Sequence, residues 1–260
     1  MNSDETGDQA RLMTSRKESR PMDPKSKNHA LLSLFIAVLV LSISCATPPL
    51  DPGLTGPFHK IGNYYLINKR LPAEIRKVAM LPLTASQQSQ SAVSGRESLQ
   101  PILFGELSKS RLFEVLLIPS ERLQEWTGQP TWRQDEELPA DFLIKIKEET
   151  GCDAILFNQL TYYRPYPPLS IGWRLLLIKT NGEVLWTLDE VFDAGEPHVA
   201  NSARRHALQT ERSNAELAYQ AGTRYGAAWN SRIPGWEWVN SPLSFGKYTA
   251  NAAIETLSSR

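Results

Sequence analysis

Apolar positions along this chain fall into distinct patterns: one unbroken block near the N-terminus, short continuous runs in the middle, and stripes at helical spacing between them. The runs Lys77–Leu83 (KVAMLPL), Phe113–Ile118 (FEVLLI) and Ala154–Leu160 (AILFNQL) have strand length, the third extending towards Tyr163. Pro82 lacks an amide donor, so it sets the end of the first run at a sheet edge or at its exit. Thr84–Ser94 is polar and reads as a mobile loop. Gly95–Arg111 carries Leu99, Ile102, Leu103, Phe104 and Leu107 on a helical stripe, with Pro101 compatible only with a first turn. Ser120 is placed to cap a short helix over Glu121–Trp126. A further helix spans Pro139–Thr150, with Phe142, Leu143 and Ile146 inward and Gly151 just past its end.

Trp173–Thr180 and Glu183–Phe192 flank Asn181-Gly182, a pair that predicts a hairpin with a type I′ turn. In its second strand Val184, Trp186, Leu188 and Phe192 share one face, while Thr187, Asp189 and Asp193 share the other. That pattern is a half-buried strand with helices on one side. The order β-α-β-α-β-β-β predicts an α/β (α+β) fold, a mixed sheet with helices packed on it. From Glu196 to Asn230 helix formers carry only a thin apolar stripe, which predicts an exposed or frayed helix. Pro242–Leu257, with Phe245, Tyr248, Ala252 and Ile254, predicts a short docking helix.

The unbroken block is Leu31–Ile43 (LLSLFIAVLVLSI), preceded by Lys25 and Lys27 and followed by Ser44 and Cys45. A basic region, an apolar stretch of about a dozen residues and small residues at a cut site are the parts of a secretory signal. The block is short for a membrane span, which needs ~20 apolar residues. A cysteine directly after small residues resembles the bacterial lipoprotein signal, in which that cysteine carries the lipid. Cys45 and Ser44 match it; Ser42 stands where leucine is usual, with Leu41 one position further back. Signal cleavage without lipid and a retained anchor therefore stay open beside lipidation of Cys45. Met22 begins a more ordinary signal than Met1 does. Ala46, rather than aspartate, points to the outer membrane under the lipoprotein reading. Thr47–Pro57 (TPPLDPGLTGP) is rich in Pro and Gly and reads as an extended tether. The expected organisation is a signal segment over 1–44, a tether over 45–57, an α/β domain over 58–195 and a partly helical extension over 196–260.

Charge and chemistry narrow the function by exclusion. The 28 Lys and Arg balance 28 Asp and Glu, and removing residues 1–44 takes away six basic and five acidic groups, leaving the chain within one charge of neutral. Nothing there steers it to nucleic acid. Two cysteines and four scattered histidines give no disulfide framework and no metal-ligand spacing, so no cofactor and no metal is expected. The phosphate-loop, dinucleotide, HExxH, GxSxG and CxxC patterns are absent. Ser244-Phe-Gly-Lys247 has the SxxK form of penicillin-recognising serine enzymes, but its nearest KTG echo, Lys179-Thr180-Asn181-Gly182, is interrupted and lies in the hairpin turn. Asp189, Glu190 and Asp193 are candidates for a carboxylate pair, with Asp189 and Asp193 on one strand face, but without an apolar pocket to raise one pKa. No catalytic residues are assigned.

Two segments look suited to binding. Tyr162, Tyr163, Arg164 and Tyr166 sit in a Pro-rich connection (YYRPYPP), and Tyr and Arg are enriched at interface hot spots. Trp236-Glu237-Trp238 is the second; packing on the protein's own core explains it more simply.

Val78-Ala-Met-Leu-Pro-Leu83, Gly151-Cys-Asp153-Ala-Ile-Leu156 and Gly182-Glu-Val-Leu-Trp186 resemble motifs of a group of bacterial envelope lipoproteins. That group includes the lipoprotein activator of penicillin-binding proteins, the curli secretion lipoprotein and the N-terminal domain of the Tol–Pal translocation protein. The resemblance covers about half of the chain after Cys45 and rests on structural motifs. It implies a non-enzymatic, periplasm-facing lipoprotein that binds an envelope partner, such as a cell-wall synthase or secretion complex. An oligomeric secretion or assembly subunit is the alternative. A curli-type pore needs long amphipathic strand pairs, and the only long hairpin here belongs to the domain's own sheet.

Overall fold

A computed structural model describes residues 52–86, 90–220 and 239–258. The chain divides into two units, Met1–Pro49 and Leu50–Arg260, and every described residue lies in the second. Cys45, the signal segment and Trp236–Trp238 lie outside the described residues. No helix among the described residues is long and apolar enough to cross a membrane.

The unit is a mixed α/β fold. A helical turn α1 (Pro52–Thr55) precedes β1 (Tyr64–Leu66), β2 (Lys77–Met80) and β3 (Thr84–Ala85). Then come α2 (Gln90–Ser110), β4 (Glu114–Leu117), α3 (Ser120–Thr127) and α4 (Phe142–Thr150). The chain continues as β5 (Ala154–Arg164), β6 (Ser170–Lys179), β7 (Val184–Asp193), α5 (Pro197–Gln220) and α6 (Pro242–Glu255). The sheet runs β1-β7-β6-β5-β2-β4, with β3 added beside β5. The helical crossovers make β2 parallel to both β4 and β5, the hairpins make β5, β6 and β7 antiparallel, and β1 pairs antiparallel with β7 from far along the chain.

The two faces of the sheet are covered unequally. On one, Met80, Leu156, Trp173, Trp186 and Phe192 are buried against Leu99 and Leu103 of α2, Ala203 of α5, and Phe245 and Ala253 of α6. Trp173 Nε1 donates to Thr249 Oγ1 at 3.0 Å and Trp186 Nε1 to Thr256 Oγ1 at 2.9 Å, so each buried indole donor is satisfied by the α6 segment. On the other face, α3 and α4 cover only part of the sheet: Leu81, Ile155, Phe157 and Ile178 pack on Leu123, Phe142 and Ile146.

Several expectations change in detail. Part of the run read as an extended tether, Pro52–Thr55, is helical; just after it Asn201 Nδ2 donates to Pro57 O and the His59 amide to Ser202 Oγ. The polar loop is shorter than expected, because Thr84–Ala85 pairs with β5 and α2 already starts at Gln90. Pro101 therefore sits inside α2, on its exposed side, where solvent can serve the carbonyl that its missing amide leaves free. Ser120 is the first residue of α3 and caps nothing. The Asn181-Gly182 turn is not type I′, which needs positive φ at both positions: only Gly182 has it (φ 90°). Its amide donates to Lys179 O and Lys179 N to Glu183 O, a three-residue loop closed by a glycine bulge. Beyond Gln220 the 196–230 stretch lies outside the described residues; up to that point α5 is a continuous helix. Its inner stripe is Val199, Ala203 and Ala207, small side chains that seat a helix closely while contributing little hydrophobicity to the sequence pattern. α5 and α6 thus complete the core beyond residue 195.

Candidate functional site

Strand geometry sorts the tyrosines of the 162–168 connection. Leu160 pairs with Trp173 and points into the helix-covered core. Regular alternation from there would send Tyr162 inward and Tyr163 outward. A register shift between Leu160 and Tyr162 inserts Thr161 as an extra residue, and pairs Tyr162 with Gly172 and Tyr163 with Ile171. The result is reversed. Tyr163 lies against Gly95 of α2, so close that a Cβ there would come within 2.6 Å of its ring. Burial, and then the neighbouring Tyr166, push its phenol pKa up. Tyr162 is exposed on the opposite face, and Tyr166 in the connecting loop is 74% exposed.

Arg164 is spent within the fold. Its Nε donates to Pro168 O at 2.6 Å and its Nη2 reaches Asp193 Oδ2 at 3.1 Å, tying the loop to the end of β7. One pleat further along, Gly172 sits between Tyr162 and Val191. The next rung is a second ion pair, Arg174 Nη2 to Asp189 Oδ2 at 2.7 Å. Beyond it Leu176 pairs with Thr187, and Thr187 with Tyr65. Apart from Leu176, which packs against the α3–α4 cluster, these residues form a patch on the part of the sheet that α3 and α4 leave open. Two arginine–aspartate rungs bracket an apolar pair, Tyr162 and Val191, on either side of buried Gly172, with Tyr65 at the β1 edge.

Of the carboxylates read as candidates for an acid–base pair, Asp189 and Asp193 are therefore each neutralised by an arginine. Glu190, between them in sequence, points to the other face and lies 3.2 Å from His59 Nε2. These ion pairs tie neighbouring segments together.

No protein-family model matches the chain, and no curated protein sequence matches it. Solved structures do. The lipoprotein GNA1162 from Neisseria meningitidis is 19% identical over 59% of this chain and 99% of its own, with a TM-score of 0.34. The LpoB C-terminal domain from Salmonella enterica is 14% identical over 48% of this chain and 86% of its own, at 0.32. The PelC dodecamer from Paraburkholderia phytofirmans is 18% identical over 48% and 76%, at 0.33. Each of these likenesses is low in both identity and TM-score.

The remaining candidates are dispersed. Among the described residues no group of His, Cys, Asp and Glu could hold a metal. Ser244 and Lys247 both lie on α6, but no hydrogen bond joins them among the described residues; Lys247 is exposed and the Ser244 amide is capped by Ser241. Lys179, of the KTG echo, is paired with Glu74. A polar cleft of about 430 Å³ opens between residues 58–64, α5 and α6. Around it burial lowers the His206 pKa and raises those of Glu255 and the Tyr248 phenol. Cys152 is free and buried, and burial raises its thiol pKa. The sequence reading missed Arg174, Val191 and Tyr65 as members of the patch. Two signals pointed to them: the alternation along β7, and a glycine at 172 in mid-strand.

Proposed function

We propose that the chain is a non-enzymatic envelope lipoprotein, anchored through lipid on Cys45 and facing the periplasm, that binds another envelope protein through the open sheet face. The outer membrane is the destination that Ala46 favours. The observation that carries this reading is the exposed row of Tyr162 and Val191 between two ion-pair rungs, continued by Tyr166. Aromatic and aliphatic groups would supply the buried centre of an interface, and the arginine–aspartate pairs a polar rim. Tyr163 and Arg164 enter as support: one fixes β5 against α2, the other fixes the loop. The binding residues are accordingly Tyr162, Tyr166 and Val191, held in place by Tyr163 and Arg164.

The test is photo-crosslinking in the native envelope from positions 162, 166 and 191, with Ile144 on α4 as an exposed control. One dominant heterologous partner captured from the three positions and not from 144 is the expected result. Capture of the same chain alone would replace this reading with the self-assembling subunit. Equal capture from all four positions would remove the face as a site. Cys45→Ala tests the address separately, since an unchanged mass and an unchanged membrane fraction would defeat lipidation.

A further inference from the structure

Lipidation of Cys45, on which this inference rests, sets a length scale that the docked N-terminal segment shortens. A free tether as far as Pro57 would give the domain twelve residues of reach from Cys45, about 40 Å when fully extended. The α1 turn begins at Pro52, which leaves seven, at most about 25 Å. The segment after α1 is fixed to the first turns of α5. Asn201 Nδ2 donates to Pro57 O at 3.2 Å, and the His59 amide donates to Ser202 Oγ at 2.8 Å and lies 3.2 Å from His198 O. The face bearing α1 is therefore the part of the domain that cannot leave the neighbourhood of the bilayer.

That face has its own chemistry. Leu54 in α1 is 56% exposed. Around residues 57–60 stand three basic groups. Arg204 Nη1 reaches Asn201 Oδ1, the same side chain that holds Pro57; the Arg205 guanidinium lies 4.5 Å above the Phe58 ring; Lys60 is exposed. The acidic groups nearby among the described residues are Glu190, beside His59, Glu196, at the start of α5 and 3.8 Å from His198, and Glu255, which lines the same cleft as Phe58 and Arg205. The open sheet face with Tyr162 and Val191 lies on the other side of the sheet from the helical layer to which α5 belongs.

We infer that Lys60, Arg204 and Arg205, beside exposed Leu54, form a seat for the anionic headgroups of phospholipids, and that the lipid anchor and this patch together hold the domain against the membrane with its open sheet face turned away. A lipid anchor at the end of a short chain limits distance but not orientation, and a basic patch beside the leaflet is the kind of second contact that sets it. Each Lys or Arg beside an anionic leaflet adds about a fivefold gain in attraction, which salt screens.

The full chain, lipidated in a bacterial host and reconstituted into vesicles, provides the test. A fluorophore is placed at Leu54→Cys or at Ile144→Cys (buried Cys152 stays unlabelled), and quenching is read from headgroup-labelled lipid in neutral vesicles and in vesicles containing phosphatidylglycerol. Position 54 should be strongly quenched in the anionic vesicles and position 144 should not. Raising salt from about 0.1 M to about 1 M, which shortens the Debye length from ~10 to ~3 Å, should remove most of the quenching at 54 without any substitution. The triple variant Lys60→Gln, Arg204→Gln, Arg205→Gln should lose it at low salt while still floating with the vesicles. Equal quenching at the two positions, or quenching at 54 that ignores lipid charge and salt, would overturn the seat while leaving the anchor standing. Wild-type protein that fails to float would overturn the anchor and the seat with it.

Discussion

On one face of the sheet the indoles of Trp173 and Trp186 are closed off from solvent, each donating to a threonine of the α6 segment. On the other, two pleats from the loop, Arg174 and Asp189 meet at 2.7 Å with more than a third of each side chain in solvent. The same strands β6 and β7 supply both arrangements, because alternate residues point to opposite faces. Where helices cover the sheet, hydrophobic burial and satisfied indole donors hold the fold together. Where they do not, charge pairs keep the surface ordered and soluble at little energetic gain. Stability and the proposed recognition can therefore be changed separately in this protein.

The strongest way to break that separation is Trp173→Ala. Removing a fully buried indole and its bond to Thr249 should cost about 3–5 kcal/mol, read as a shift in urea midpoint. A loss below about 1 kcal/mol would mean that the covered face does not depend on α6.

Asp153 probes the near end of the sheet, away from both surfaces. Its carboxylate accepts the Arg76 and Lys77 amides at 2.9 Å each, which gives the Gly-x-Asp motif a physical purpose: it fixes β5 to the start of β2. The Arg76 amide above all, then that of Lys77, holds the pKa below the usual carboxylate range against the opposing effect of burial. A lowered native pKa contributes stability that is fully present above the unfolded value of about 3.9 and lost as pH falls through the native one. Asp153→Asn should cost about 1.5–3 kcal/mol at neutral pH, with wild type and variant converging in urea melts below about pH 4. A gap unchanged at low pH would show that the charge is not what matters.

Arg174 and Asp189 should couple by only about 0.2–1 kcal/mol in a double-mutant cycle, less in high salt. A larger, salt-insensitive coupling would make the open face part of the structural core after all. Smallest of all in stability is Tyr166→Ala, expected within about 0.5 kcal/mol of wild type while crosslinking to the partner falls sharply. Unchanged capture would remove the loop from the interface.

The order of the five longer strands and the helices between them was legible because the crossover segments switch from short apolar runs to helical spacing and back, whereas the short strands β1 and β3 and the α1 turn were not. The α5 stripe was not, since Ala203 and Ala207 read as weak hydrophobicity although they permit close packing. Pro101 misled in the other direction: local propensity assigns it to a first turn, and tertiary packing carries α2 a further two turns ahead of it. At the site, the half-open character of β7 followed from Thr187, Asp189 and Asp193 alone. Which member of the Tyr162–Tyr163 pair faces outward did not. That depends on register after Thr161, and register is a property of the pair of strands.

Gly172 governs that register without belonging to any contact a partner could make. A Cβ at 172 would collide with Thr161 Oγ1 and crowd the Tyr162 amide, so the extra residue in β5 has room only because 172 has no side chain. A missing methyl group on β6 thus decides which tyrosine the neighbouring strand displays. Scanning this surface residue by residue to alanine would score position 172 as a binding determinant, when its information is positional: it specifies the display and never reads the ligand.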